Sequence, residues 1–177
     1  MVLAVLAEAQ EEACSSVIDE DVKTVAVGLL LVIAGFTVFQ AFFADRVVEP
    51  FSELGILGPN LKIGDYPRVL SVGEEFNLYL YVGNHMGSTQ LYRVYVKLGD
   101  RGLNVSDTEP YLGRVLTYYD VALVDKQNVT LPVVLSVPEP GVNLRLVFEM
   151  HRYDLDAGGW VYHNRWNQLW LNVTSPQ

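Results

Sequence analysis

The sequence predicts an all-β antiparallel sandwich preceded by a single transmembrane α-helix, and three observations predict it. Residues 24–44, TVAVGLLLVIAGFTVFQAFFA, carry no charge between Lys23 and Asp45. After Asp45, short runs alternate apolar and polar residues with period two, parted by Gly, Pro, Asn and Asp. None of that second part has the three-and-four spacing of an amphipathic helix.

A length of 177 residues allows one globular domain plus the span. Hydrophobic residues make up 50% and charged residues only 19%, a balance that suits a membrane-anchored chain better than a soluble one. The net charge is −9 and no basic stripe is present, so no nucleic-acid partner is expected. Cys14 is the only cysteine and precedes the β-rich part, which must be held by its core without a disulfide.

Residues 1–16 read as an acidic segment with Glu8, Glu11 and Glu12. Its acids, where a secretory signal has a basic start, predict no cleavable signal peptide of ordinary type. Val2, Leu3, Val5 and Leu6 either fray or rest on a membrane or partner. Cys14 is expected to be a plain thiol, because Glu12 occupies a position where a lipidation motif needs a small or apolar residue. Ser15, Ser16, Asp19, Glu20 and Asp21 supply caps and negative charge at a helix start, so the helix is assigned to residues 17–45. The uncharged part spans about 31 Å at about 1.5 Å per residue, the thickness of a bilayer's hydrocarbon core.

Along that helix Val27, Leu30, Ala34, Thr37, Ala41 and Ala44 recur at steps of three and four, and Gln40 lies beside them. Such a seam lets a second helix approach closely where lipid removes the hydrophobic drive. The partners expected are therefore the membrane and either other membrane-protein subunits or copies of the same chain. Flanking Lys and Arg are too few to set orientation. Three acceptor sequons at Asn104, Asn128 and Asn172 all follow the span, which places the C-terminal part outside the cytoplasm.

Pro50, Gly55, Gly58, Pro59 and Gly64 mark residues 46–67 as a connector, leaving 68–177 as the β domain. Phe76, Leu78, Leu80 and Val82 share one face of a strand, and Tyr92, Val94, Val96 and Leu98 one face of the next. Val129 to Val137 gives a third, with Pro132 pointing to an edge or bulge. Leu144, Leu146, Phe148 and Met150 give a fourth, opposite Arg145, Glu149 and His151. Residues 166–173 give a fifth, and 68–71 and 113–123 are weaker candidates. About seven short strands with turns between them predict an immunoglobulin-like sandwich.

The segments FSELGILGPN (51–60), DYPRVLSVGEE (65–75), YLYVGNHMGSTQLYRVYV (79–96), LRLVFEMHRY (144–153) and RWNQLWLNVT (165–174) resemble an archaeal membrane-protein family known as domain of unknown function 1616. Tyr66-Pro67, Gly73-Glu74 and Asn84-His85 are the most specific part. The resemblance covers 51–174 and implies an archaeal origin, a membrane location and an immunoglobulin-like domain outside the cell. It carries over no activity and no cofactor. Family members often have several spans ahead of this domain, whereas one is visible here.

Candidate chemistry is sparse. Ser88 and Ser106 have no neighbouring base and no paired carboxylates are placed for acid–base work, so no enzyme is expected. His85, His151 and His163 with Asp154 and Asp156 are the only metal-ligand candidates, and they lack the spacing of a zinc or calcium loop. Residues 154–159, DLDAGG, are expected to be a hairpin turn, with a ligand loop of His85, His151, Asp154 and Asp156 as the alternative. Tyr111, Tyr118, Tyr119, Trp160, Tyr162, Trp166 and Trp170 are expected mainly in the core, or else on a protein-binding or membrane-facing surface. The functional expectation is a non-enzymatic accessory or structural subunit of a membrane or cell-surface assembly. The alternatives are a pilin-like filament subunit and a metal- or ligand-binding receptor.

Overall fold

The computed structural model describes residues 20–44 and 49–175, which belong to two units divided between Val48 and Glu49. The acidic segment 1–16 with Cys14, the helix start near residue 17, and Asp45 lie outside the described residues.

The first unit holds helix α1, Glu20–Ala44. Glu20 and Asp21 stand in its first turn, where carboxylates meet the positive end of the helix dipole. Lys23 lies 3.1 Å from Glu20. The hydroxyls of Thr24 and Thr37 donate to the carbonyls of Glu20 and Ile33 at 2.8 and 2.7 Å, so neither leaves an open polar group in the apolar stretch. The side chains from Glu20 to Phe43 are exposed within this unit. α1 is long and apolar enough to cross a membrane.

The second unit is a two-sheet sandwich. Its strands are β1 Phe51–Leu57, β2 Val69–Ser71, β3 Glu75–His85, β4 Gln90–Gly99, β5 Arg114–Leu123, β6 Asn128–Ser136, β7 Gly141–Asp154 and β8 Gly159–Thr174. One sheet has the order β1-β3-β6 and the other β2-β8-β7-β4-β5. All pairings are antiparallel except β2 with β8. The chain changes sheet at every step except from β4 to β5 and from β7 to β8, which is the crossed connectivity of an immunoglobulin-like fold.

Period-two alternation fills the space between the sheets. Phe76, Leu78, Leu80 and Val82 from β3 meet Tyr92, Val94, Val96 and Leu98 from β4 and Leu146, Phe148 and Met150 from β7 in one buried cluster. Leu169, Leu171 and Val173 of β8 complete it. Pro132 sits in β6, an edge strand, where its missing N–H leaves no ladder bond unmade.

One boundary is corrected. Residues 46–67, expected as a connector, contain β1, which pairs with β3 from Phe51↔His85 to Leu57↔Tyr79. Gly55 is accommodated because the Tyr81 side chain packs over it, and the inward position that a core hydrophobe would fill is taken by Ser52. A polar residue at that inward position hides the strand from a periodicity reading.

Candidate functional site

At one end of the sandwich, β1, β3, β4 and β8 bring together four polar side chains from distant parts of the sequence. The Asn84 amide donates to the carbonyls of Ser88 and Leu123, both at 2.9 Å, which fixes its oxygen as the acceptor. That oxygen accepts from the Met86 N–H and from the Tyr92 hydroxyl at 3.0 Å. With the Tyr92 proton committed, Ser52 donates to Tyr92 at 2.7 Å, and His163 Nε2 donates to Ser52 at 2.9 Å. Burial, with Arg152 and Arg165 nearby, pushes the His163 imidazole down to about 4, so it is neutral at pH 7. This order of protons gives Ser52 a hydrogen-bond donor where a nucleophile needs a base, and Ser52 is 3% exposed. The cluster is a buried strut.

The outer face of the larger sheet divides into two halves. In one half the β4–β5 connection, residues 100–113, folds back over the strands. Arg145 donates to Leu103 O at 2.8 Å, Tyr162 to Ser106 O at 2.6 Å, and Trp166 to Asp107 Oδ1 at 2.8 Å. Beneath it lies a buried ion pair. Lys97 Nζ is 3.0 Å from Glu149 Oε1 and donates to Tyr111 O, while the Tyr111 N–H donates to Glu149 Oε2 at 2.7 Å. Every charge-bearing atom of the pair thus meets a partner, which is the condition for burying one. His151 stands 3.4 Å from Glu149, and burial lowers its pKa.

Over the other half no covering segment lies among the described residues. Arg93 makes a two-pronged bond to Asp120, both contacts at 2.7 Å. Its guanidinium lies 4.1 Å from the Tyr118 ring centre and 4.3 Å from that of Trp160. Tyr95 stands 6.0 Å from Tyr118, and Tyr153 lies edge-on to Trp160 at 5.4 Å. Tyr118 is 51% exposed. The aromatics expected mainly in the core are thus largely on this outer face; Tyr111 is buried under the 100–113 segment and Tyr119 packs against the core.

The sequence-predicted ligand residues fall in separate places. His85 stacks on Phe51 at 4.6 Å and lies 3.5 Å from Glu53. Asp154 accepts from the N–H groups of Asp156 and Ala157 and pairs with Arg152, and these bonds hold its carboxyl below the usual range. Residues 154–159 are therefore the β7–β8 hairpin turn. Among the described residues no three His, Cys, Asp or Glu side chains are grouped to hold a metal. Gln40, Phe36, Phe39 and Phe43 line a shallow recess on α1, and of the seam residues Thr37 spends its hydroxyl inside the helix. Asn104 and Asn128 are exposed and Asn172 is half-buried. Ser52, Asn84, Tyr92 and the Lys97–Glu149 pair were not foreseen as a site. Their only sequence signal is a polar residue at an inward-facing or outward-buried position, and the partners lie up to 111 positions apart.

No curated protein matches the sequence. Among solved structures, the CARDB domain of PF1109 from Pyrococcus furiosus, crystallised in complex with di-metal ions, is similar at 15% identity and a TM-score of 0.45, covering 73% of this chain and 96% of that one. A solution structure of the same domain gives 16% identity and 0.42, covering 71% and 95%. A β-glucosidase from Listeria innocua gives 15% and 0.40, covering 70% of this chain and 16% of the enzyme. A family profile described as domain of unknown function (DUF1616) matches residues 46–157, from just before β1 to the β7–β8 turn, and the chain belongs to that family.

Proposed function

We propose that the chain is a single-pass membrane protein whose sandwich stands outside the cytoplasm and serves, without catalysis, as an accessory or structural subunit of a membrane or cell-surface assembly. The observation that carries this reading is α1: its apolar side chains are uncovered throughout the described helix, with Leu31 at 68% and Phe42 at 81% exposed. An apolar surface of that length is stable only in lipid or against other helices. The seam of Val27, Leu30, Ala34, Thr37, Ala41 and Ala44, with Gln40 beside it, suits contact with a second helix.

The open half of the outer sheet face supports the same role. Tyr, Trp and Arg are the residues that concentrate binding energy at protein interfaces, and Arg93 is held rigid here by Asp120 and two rings. Because Asp120 neutralises Arg93, the face suits a neutral protein surface. The three sequons after the span agree with an outside location.

The native mass of the full chain, extracted in mild detergent with every co-migrating chain identified, tests the reading. A stable complex is expected, weakened when Ala34, Thr37 and Ala41 are replaced by Leu and when Trp160 and Tyr118 are replaced by Ala. A strictly monomeric chain that loses nothing on either set of changes overturns it.

A further inference from the structure

Three sequons follow the span, and the one at Asn172 lines a cleft. In β8 the run WLNVT, residues 170–174, sends Leu171 and Val173 into the core and Trp170, Asn172 and Thr174 to the outer face. Trp170 therefore stands two residues ahead of Asn172 on the same side. The corresponding positions before Asn104 and Asn128 are Gly102 and Lys126.

The cleft beside Asn172 has a volume of about 440 Å³ and is lined by Tyr66, Arg68, Asn143, Gln168 and Trp170. That lies within the roughly 300–1,000 Å³ typical of small-ligand sites. Trp170 has the Arg145 guanidinium 4.5 Å from its ring centre and remains 39% exposed. Gln168 Oε1 is closed off from solvent and has no hydrogen-bond partner among the described residues. The Asn172 oxygen accepts from the Asn143 N–H at 2.8 Å, and Asn143 holds a left-handed backbone conformation (φ 55°) in the β7 bulge. With its oxygen engaged, the Asn172 amide turns its nitrogen, the atom that carries an N-linked sugar, away from that bond.

We infer that Asn172 carries an N-linked glycan whose first sugar lies in this cleft, its apolar C–H face against Trp170 and its hydroxyls among Gln168, Asn143 and Arg68. The inference rests on the outside placement proposed above. The donor is a lipid-phosphate-linked oligosaccharide: its C1–O bond to phosphate breaks, a bond from the Asn172 nitrogen to C1 forms, and the displaced amide proton leaves with the phosphate. Transfer precedes folding. In the finished sandwich the Asn172 N–H donates to Arg68 O at 2.8 Å and Thr174 Oγ1 donates to Leu70 O at 3.3 Å, so β2 and the residue before it already hold the sequon. The closing sandwich then packs the sugar in place.

The full chain is expressed in a glycosylating archaeal host and in a bacterial host without N-glycosylation, and extracted in detergent. Peptide mass spectrometry reads occupancy at Asn172, Asn104 and Asn128, while protease treatment of intact cells reads the side of the membrane. Asn172 is expected to be occupied, and Thr174→Ser to keep its glycan. Thr174→Ala is expected to lower the melting midpoint by about 3–5 °C more in the glycosylating host than in the bacterial one, and that excess to vanish in a Trp170→Ala background. An unmodified Asn172 in a domain cleaved from outside overturns the inference alone, as does an occupied Asn172 whose glycan adds nothing to the midpoint. A domain protected by the membrane overturns the outside placement itself.

Discussion

His163 is the side chain whose ionisation most directly reports the integrity of the fold. Its folded-state pKa of about 4 lies below the ordinary 6.5, so the unfolded chain takes up the proton first. Stability is full above about pH 6.5 and falls as pH drops towards 4, by about 2–3 kcal/mol over that window. Unfolding at pH 7 and pH 4.5 is expected to show this loss, and His163→Gln to remove most of it. Asn84 is the second such residue, because one amide serves the carbonyls of Ser88 and Leu123, the Met86 N–H and the Tyr92 hydroxyl. Asn84→Ala leaves those buried groups unpaired and is expected to cost about 2–4 kcal/mol, read from the urea midpoint at unchanged slope. The outward-buried pair behaves differently. Glu149→Leu alone strands the Lys97 charge and is expected to cost about 3–5 kcal/mol, whereas Lys97→Met with Glu149→Leu recovers most of the loss. A double variant as unstable as the single one would show that the bonds to the Tyr111 backbone matter more than the ion pair.

At the scale of elements, β1 and the 100–113 segment decide how much of the sandwich is sealed. β1 closes one edge of the smaller sheet and reaches the other sheet through Leu54 O, which accepts from Asn167, and Ser52 O, which accepts from Arg165. A fragment beginning at Glu49 is therefore expected to melt cooperatively, while one beginning at residue 68 exposes Leu80, Val82 and Tyr92 and is expected to aggregate; calorimetry and light scattering of the two separate these outcomes. The 100–113 segment depends on Gly99 and Gly113, against which the Tyr111 ring lies so closely that a Cβ at either would meet it. Gly113→Ala is expected to lift Tyr111 from its seat, destabilise by about 1–3 kcal/mol, and raise the exposure of the Lys97–Glu149 pair, detectable as faster hydrogen exchange at the Tyr111 N–H.

At the scale of the molecule, the described chain joins an apolar helix to a sandwich that completes its own core. The two units differ in what they bury: α1 keeps its apolar side chains exposed within its own unit, and the sandwich packs its apolar residues between two sheets. Residues 24–44 declared the helix, and Phe76 to Val82, Tyr92 to Leu98 and Leu144 to Met150 declared three strands, because burial on one side imposes a period on the residues that form it. The connection to the family was legible too, in Tyr66-Pro67, Gly73-Glu74 and Asn84-His85. β1 was not, because Ser52 takes an inward position for the sake of Tyr92 and His163, and its partners lie 40 and 111 residues away. The aromatic face was legible only as a list of rings. Alternation says which residues share a side of a sheet, and so it determined the sandwich. It does not say what covers that side, and only the folding of residues 100–113 over one half decided that Glu149 and Lys97 would be buried while Arg93, Tyr118 and Trp160 would be left open.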